Sequence, residues 1–206
     1  MNLEELKSRK LHFIGIGGSG MSGLARISLA MGIETSGSDA KNSSALEDLT
    51  RLGAQTYVGH SEVNVNSNQV VVISSAIPDS NPELKKAKEL SLSILSRAKL
   101  LALFMENKKS IAVAGTHGKT TTTTMVAWLM KNLSLKANYI LPAEVEFGDS
   151  VNFDKDNEYG AYVPIRCMET LSDGQSCIQY EISEDERRLL NQGREIMPEG
   201  YDRLAT

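Results

Sequence analysis

Two short stretches hold residue types that can grip phosphate. The first is Gly15-Ile-Gly-Gly-Ser-Gly20, which fits G-x-G-x-x-G. Glycine permits a tight turn and lets the backbone approach a diphosphate closely. A helix opening there presents unpaired N–H groups and a partial positive charge. Asp39 follows about 20 residues on, the distance at which an acid can hydrogen-bond a ribose hydroxyl. By itself this pattern points to NAD or to another diphosphate-linked nucleoside.

The second stretch is Gly115-Thr-His-Gly-Lys-Thr-Thr121. It departs from G-x-x-x-x-G-K-[ST], because Val113 stands where the first glycine belongs. The mechanical core is kept. Gly115 and Gly118 free the backbone to wrap a phosphate, Lys119 supplies a point charge for β- and γ-phosphates, and Thr120 offers a hydroxyl to Mg²⁺. His117 either touches phosphate or the metal's water shell, or only shapes the loop. A dehydrogenase needs no second loop and a simple kinase needs no first. An enzyme that binds both a nucleotide-linked substrate and ATP needs the pair.

These loops must sit between strands and helices. Leu11–Ile16 reads as a buried strand running into the first loop, and Met21–Met31 as the helix after it, stopped by Gly32. Ile33–Ser36 and Gln55–Val58 read as short strands, and Val70–Ala76 as a strong one. Ser44-Ala-Leu-Glu47 has capping-box spacing for a helix ending at Gly53. Asn81-Pro82-Glu83 gives an N-cap, a first-turn proline and a first-turn acid. Ser93–Leu95 is a further strand, Arg97–Met105 a helix, Ser110–Ala114 the strand before the second loop, and Thr120–Asn132 the helix after it. Strands alternating with helices imply a doubly wound parallel α/β sheet.

After about Ala137 the rhythm is lost. Ala161–Ile182 reads as a β-hairpin around Asp173-Gly174. Its register puts Leu171 opposite Ser176, Cys167 opposite Tyr180 and Arg166 opposite Glu181. Cys167 and Cys177 then fall on opposite faces. Ser183-Glu-Asp-Glu186 has capping-box spacing for a short helix to Gln192.

The chain has 206 residues, 41% hydrophobic and 23% charged, which suits a folded core in one or two domains. A net charge of −4 gives no bulk attraction to nucleic acid or an anionic membrane. Two cysteines imply no disulfide framework. The glycines break the first apolar stretch, and no long apolar run follows. A cytoplasmic location is expected, and the oligomeric state is open.

His12-Phe-Ile-Gly-Ile-Gly-Gly-Ser-Gly-Met, Gly37-Ser-Asp, Gly59-His-Ser, Ser74-Ser-Ala-Ile-Pro, Asn81-Pro-Glu and Ala114-Gly-Thr-His-Gly-Lys-Thr occur in that order. In these motifs the first 130 or so residues resemble the Mur ligase family. The resemblance implies a Rossmann-like domain over 1–107 holding the UDP part of UDP-N-acetylmuramate, with Gly15, Gly17, Gly18, Ser19, Gly20, Met21, Ser22, Asp39 and Ser75 as contacts. It implies the start of a P-loop ATPase domain over 108–136. There Gly115, Thr116, His117, Gly118, Lys119, Thr120 and Thr121 would bind ATP, with Lys119 and Thr120 catalytic and Thr120 on Mg²⁺. The implied chemistry is activation of the substrate carboxylate as an acyl phosphate and its capture by L-alanine, in peptidoglycan precursor synthesis.

Beyond about Met130 the family pattern is missing. Neither a Glu-Ala-Asp-Glu-Ser-Asp nor a Thr-Asn-x-Glu-x-Asp-His segment follows, and 137–206 is left as a small α+β tail of unassigned role. Standalone catalysis is therefore not expected. A non-catalytic nucleotide- or UDP-sugar-binding module is the alternative, and an NAD-binding protein a weaker one.

Overall fold

The computed structural model describes residues 1–105, 109–113, 118–141, 145, 150–154, 156–157, 159–162, 169–170 and 176–177. The chain divides into two units, Met1–Ile165 and Arg166–Thr206.

The first unit opens with α1 (Leu3–Lys7), β1 (Lys10–Ile14), α2 (Ser19–Ala30), β2 (Thr35–Asp39), α3 (Ser44–Arg51) and β3 (Gln55–Val58). It continues with β4 (Gln69–Ile73), α4 (Pro82–Glu89), β5 (Ile94–Ser96) and α5 (Arg97–Met105). Their strands form one parallel sheet in the order β3-β2-β1-β4-β5. The chain works outward from β1 on one side, then returns to β4 on the other. That reversal makes a switch point between β1 and β4.

Period-two alternation covers both faces of this sheet. Leu11, Phe13, Val70 and Val72 pack into a large cluster with Leu24, Leu46, Leu49, Leu100 and Phe104 of α2, α3 and α5. Ile14 and Val71 turn to the opposite face, against Leu84 and Ala87 of α4. His12 shares the parity of Ile14 and lies on this α4 face, fully buried.

The second strand starts later than its sequence suggests. Gly32 takes φ +76°, and the Ile33 N–H donates to the Ser28 carbonyl at 2.9 Å. Ile33 thus belongs to a Schellman ending of α2, and pairing begins at Thr35. The same device ends α3, where Gly53 has φ +100° and Ala54 N–H donates to Leu49 O. Ser91 and Ser134 do glycine's work after α4 and α6 (Lys119–Asn132), at φ 51° and 56°.

A second sheet contains β6 (Lys109–Ala112), β7 (Ala137–Ile140), β8 (Val151–Asn152) and β9 (Tyr159–Tyr162), ordered β6-β9-β7-β8. β9 lies parallel to both β6 and β7, while β8 runs antiparallel to β7. The strand before the second loop therefore has a neighbour, and it comes from beyond the expected boundary at residue 137. Ala127 and Met130 of α6 pack on Ala137, Tyr139 and Leu141. Ile140 joins the large cluster of the first sheet, and a Cβ on Gly23 of α2 would lie 2.9 Å from its Cγ2. The strands β7, β8 and β9, beyond the expected boundary, complete this sheet within the first unit.

In the second unit, β10 (Glu169–Thr170) and β11 (Ser176–Cys177) pair antiparallel, so a hairpin forms. Its register differs from the expected one. Thr170, not Leu171, faces Ser176, and Glu169 faces Cys177. The arms alternate weakly between polar and apolar residues, so the sequence pattern does not pin the register. Ala161 and Tyr162 pair with β6 and β7 rather than with the hairpin. The expected helix over 183–192 lies outside the described residues.

A chain ending after residue 165 is expected to keep the urea midpoint of the first unit. One ending after residue 136 should unfold at lower urea, because it strips β7 and β9 from β6 and leaves Ala127 and Met130 uncovered. Equal midpoints for the two chains would contradict this assignment.

Candidate functional site

The loop after β1 and the turn after β4 flank the switch point at the carboxyl ends of the strands, where open parallel sheets bind ligands. Gly15 takes φ +80° and continues the pairing, with its N–H and that of Ile16 both donating to the Ser38 carbonyl, at 2.8 and 2.9 Å. Gly18 N–H then closes a turn onto Gly15 O at 3.2 Å. Gly18 is the N-cap of α2, and no side chain caps that helix. Its first amides point to the crevice with the partial positive charge of the helix end behind them.

The expected contacts separate into distinct places. Gly15, Gly17 and Gly18 form the turn, and Ser19, Gly20, Met21 and Ser22 the first turn of α2. Met21 points into the core at 2% exposure. Asp39 ends β2 and accepts the Gly17 N–H on Oδ2 at 2.9 Å. One of its oxygens thus holds the loop itself. Ser75 is exposed in the turn after β4, where Ile77 N–H donates to Ser74 O.

Behind the loop lies a polar cluster that gathers residues of three separate motifs, Gly37-Ser-Asp, Gly59-His-Ser and Asn81-Pro-Glu, whose meeting the sequence did not announce. Glu83 is fully buried in the first turn of α4, yet accepts from several directions. Oε2 takes the Ser38 hydroxyl at 2.5 Å and lies 3.3 Å from His60 Nδ1. Oε1 takes Asn64 Nδ2 at 2.6 Å and Ser61 N–H at 3.4 Å. Asn81 caps the same turn, accepting from Glu83 N–H and Leu84 N–H.

His12 completes the cluster. Ser36 Oγ donates to Leu11 O, so His12 Nδ1 must be the donor to Ser36 Oγ at 2.9 Å. Nε2 then faces Glu83 Oε2 at 3.8 Å with no hydrogen-bond partner. That distance is too long for a hydrogen bond, so the ring acts on Glu83 through charge when Nε2 carries a proton. Burial acts to raise the Glu83 pKa. The His12, Ser38 and Asn64 interactions outweigh it and bring the carboxyl down from 4.5 to about 2.

Arg97 is a further residue at this site. It begins α5, directly after β5, and so reaches the same end of the sheet. A Cβ on Gly20 would sit 3.1 Å from Arg97 Cζ, and nearer still to Nη1. Arg97 Nε is buried without a hydrogen-bond partner. Burial lowers the guanidinium's pKa. No short motif identifies Arg97 in sequence; its meaning comes from its distance to Gly20.

The second loop is described from Gly118 onward; Gly115, Thr116 and His117 lie outside the described residues. Gly118 takes φ +77° as N-cap of α6, again with no side-chain cap. That conformation strains any residue with a Cβ. Thr122 N–H donates back to Gly118 O at 2.8 Å. Lys119 and Thr120 are half-buried at the start of the helix and Thr121 is exposed.

Replacing Glu83 with glutamine should destabilise the fold by about 3 kcal/mol near neutral pH, because both carboxylate oxygens accept from buried donors and the amide puts an NH₂ donor in place of one of them. The folded-state pKa of Glu83 lies below its unfolded value, so its stabilisation is present above about 4.5 and is lost as pH falls toward about 2. Urea titrations across that window should show the difference between the parent chain and Glu83→Gln closing. A difference independent of pH would refute the charged role.

Residues 10–109 match the Mur ligase family, catalytic domain. The UDP-N-acetylmuramate–L-alanine ligase of Thermobifida fusca is 46% identical over 139 residues, 68% of this chain and 29% of the relative. That of Persephonella marina is 39% identical over 168 residues, 77% of this chain and 37% of the relative. This share is more than the first 130 residues can supply, so the likeness runs on into the second sheet. The crystal structure of UDP-N-acetylmuramate-alanine ligase from Thermotoga maritima superposes with a TM-score of 0.69 at 34% identity, covering 75% of this chain and 36% of that one. The chain spans about a third or less of the length of most such relatives, 27% in Hydrogenobaculum sp.. Over its N-terminal part, the chain carries a match to the Mur ligase catalytic domain and is similar to many UDP-N-acetylmuramate–L-alanine ligases.

Proposed function

We propose that the first unit binds UDP-N-acetylmuramate, with its diphosphate at the Gly15–Gly20 loop. The observation that carries this reading is the uncapped N-terminus of α2 at the switch point between β1 and β4. Gly15, Gly17, Gly18, Ser19 and Gly20 offer backbone, Ser22 and Ser75 hydroxyls, and Asp39 a carboxylate beside the loop. Met21 anchors the helix from within the core. The relatives, which are UDP-N-acetylmuramate–L-alanine ligases, support the choice of sugar nucleotide.

The start of α6 is proposed as a phosphate cradle for ATP. Its fit rests on the left-handed Gly118 and on a helix end free of a side-chain cap. Gly115 to Thr121 would wrap the phosphates, with the Lys119 ammonium as a point charge. Bound ATP supplies the phosphoryl group that turns a carboxylate into an acyl phosphate, open to attack by the amine of L-alanine. For Mg²⁺ the described residues offer the Thr120 hydroxyl, and no three of His, Cys, Asp or Glu gather near it. The metal site is therefore incomplete in these residues, and no step is assigned to it. The full ligation of L-alanine belongs to an assembly with the remaining ligase segments. In isolation the chain is a nucleotide- and UDP-sugar-binding module.

Isothermal titration of the folded chain with UDP-N-acetylmuramate should give saturable heat. Absence of heat at millimolar ligand would end this reading. Phosphate release with ATP, UDP-N-acetylmuramate and L-alanine together should stay at background. Turnover would instead show that the chain carries a complete catalytic site.

A further inference from the structure

Arg97 contacts the first turn of α2, with its guanidinium over Gly20. A fixed cation and the positive end of a helix repel each other, and an anion between them removes the repulsion. No carboxylate among the described residues does so. Arg97 has no ion pair there, and its Nε is buried and unpartnered. Leaving such a donor unsatisfied is destabilising. Lysine in this place would offer a point charge. Arginine offers a planar fork that matches two phosphate oxygens.

We propose that Arg97 is the second anchor of the anion site: it closes on the diphosphate from α5 while the amides of α2 hold it from the other side. Residue 20 is glycine because a Cβ there would occupy the guanidinium's place. The assignment rests on the diphosphate reading above and adds selectivity to it. Arg97 makes the site discriminate nucleoside diphosphates from uncharged nucleosides.

The test compares UDP, inorganic pyrophosphate and uridine on the full chain by isothermal titration. Arg97→Met should weaken UDP and pyrophosphate roughly ten- to a hundredfold and leave uridine unchanged. Arg97→Lys should recover part of the loss. Gly20→Ala, which leaves the charge in place but fills its seat, should weaken UDP in the same selective way. It keeps the test decisive if Arg97→Met fails to fold. Equal loss of UDP and uridine, or UDP binding by Arg97→Met as tight as by the parent chain, would overturn the role of Arg97. If the parent chain binds neither UDP nor pyrophosphate, both this inference and the diphosphate reading fall. If it binds pyrophosphate but not UDP, Arg97 can still be scored on pyrophosphate while the sugar-nucleotide reading is lost.

Discussion

A single buried carboxylate organises the carboxyl end of the strands of the first sheet. Glu83 gathers donors from β2 through Ser38, and from the connection after β3 through Ser61 and Asn64, with His60 alongside. Ser38 is the same residue whose carbonyl takes the N–H groups of Gly15 and Ile16. One side chain of α4 therefore holds β2 from beneath while β2 holds the glycine-rich loop above. A buried charge is tolerable only when every lone pair finds a donor. Here each oxygen has donors, and His12 adds its ring at 3.8 Å.

The two glycine loops share one physical design and differ in what surrounds them. Each ends in a glycine N-cap and each opens a helix with no capping side chain. The first sits at a topological switch point, with Asp39 fastening the turn and Arg97 over the helix start. The second stands at the end of β6, which depends on β9 for its pairing. Exposed Met125, Trp128, Leu129 and Leu133 leave much of α6 uncovered among the described residues. That fits a chain spanning 29% of its Thermobifida fusca relative.

The second sheet escapes the sequence reading because its pairing is non-local. Ala137–Ile140 and Tyr159–Tyr162 are short, and the sequence between them lacks the helical spacing that marks a βα unit. Nothing local says that they flank one another beside β6. The hairpin was legible from Asp173-Gly174, but its register was not, since weak alternation leaves a one-residue slip nearly free of penalty. The start of β2 was misplaced because Ile33 is apolar for a different reason, as the hydrophobic end of a Schellman motif.

Local chemistry was enough to reveal both loops, most helices of the first sheet and the alternation that makes the sheet parallel. Caps, glycine stops and glycine-rich turns act within a few residues, so their signals survive in sequence. The Asn81-Pro-Glu motif was correctly read as a helix start, yet its glutamate proved more than a first-turn acid. Its partner Ser38 is 45 residues away. Asp39 lies 22 residues from the Gly17 amide that it holds. Arg97 meets Gly20 only because β5 and β1 end at the same edge of one sheet. Contacts of this kind depend on strand order, and strand order is decided by which faces the whole chain can bury together.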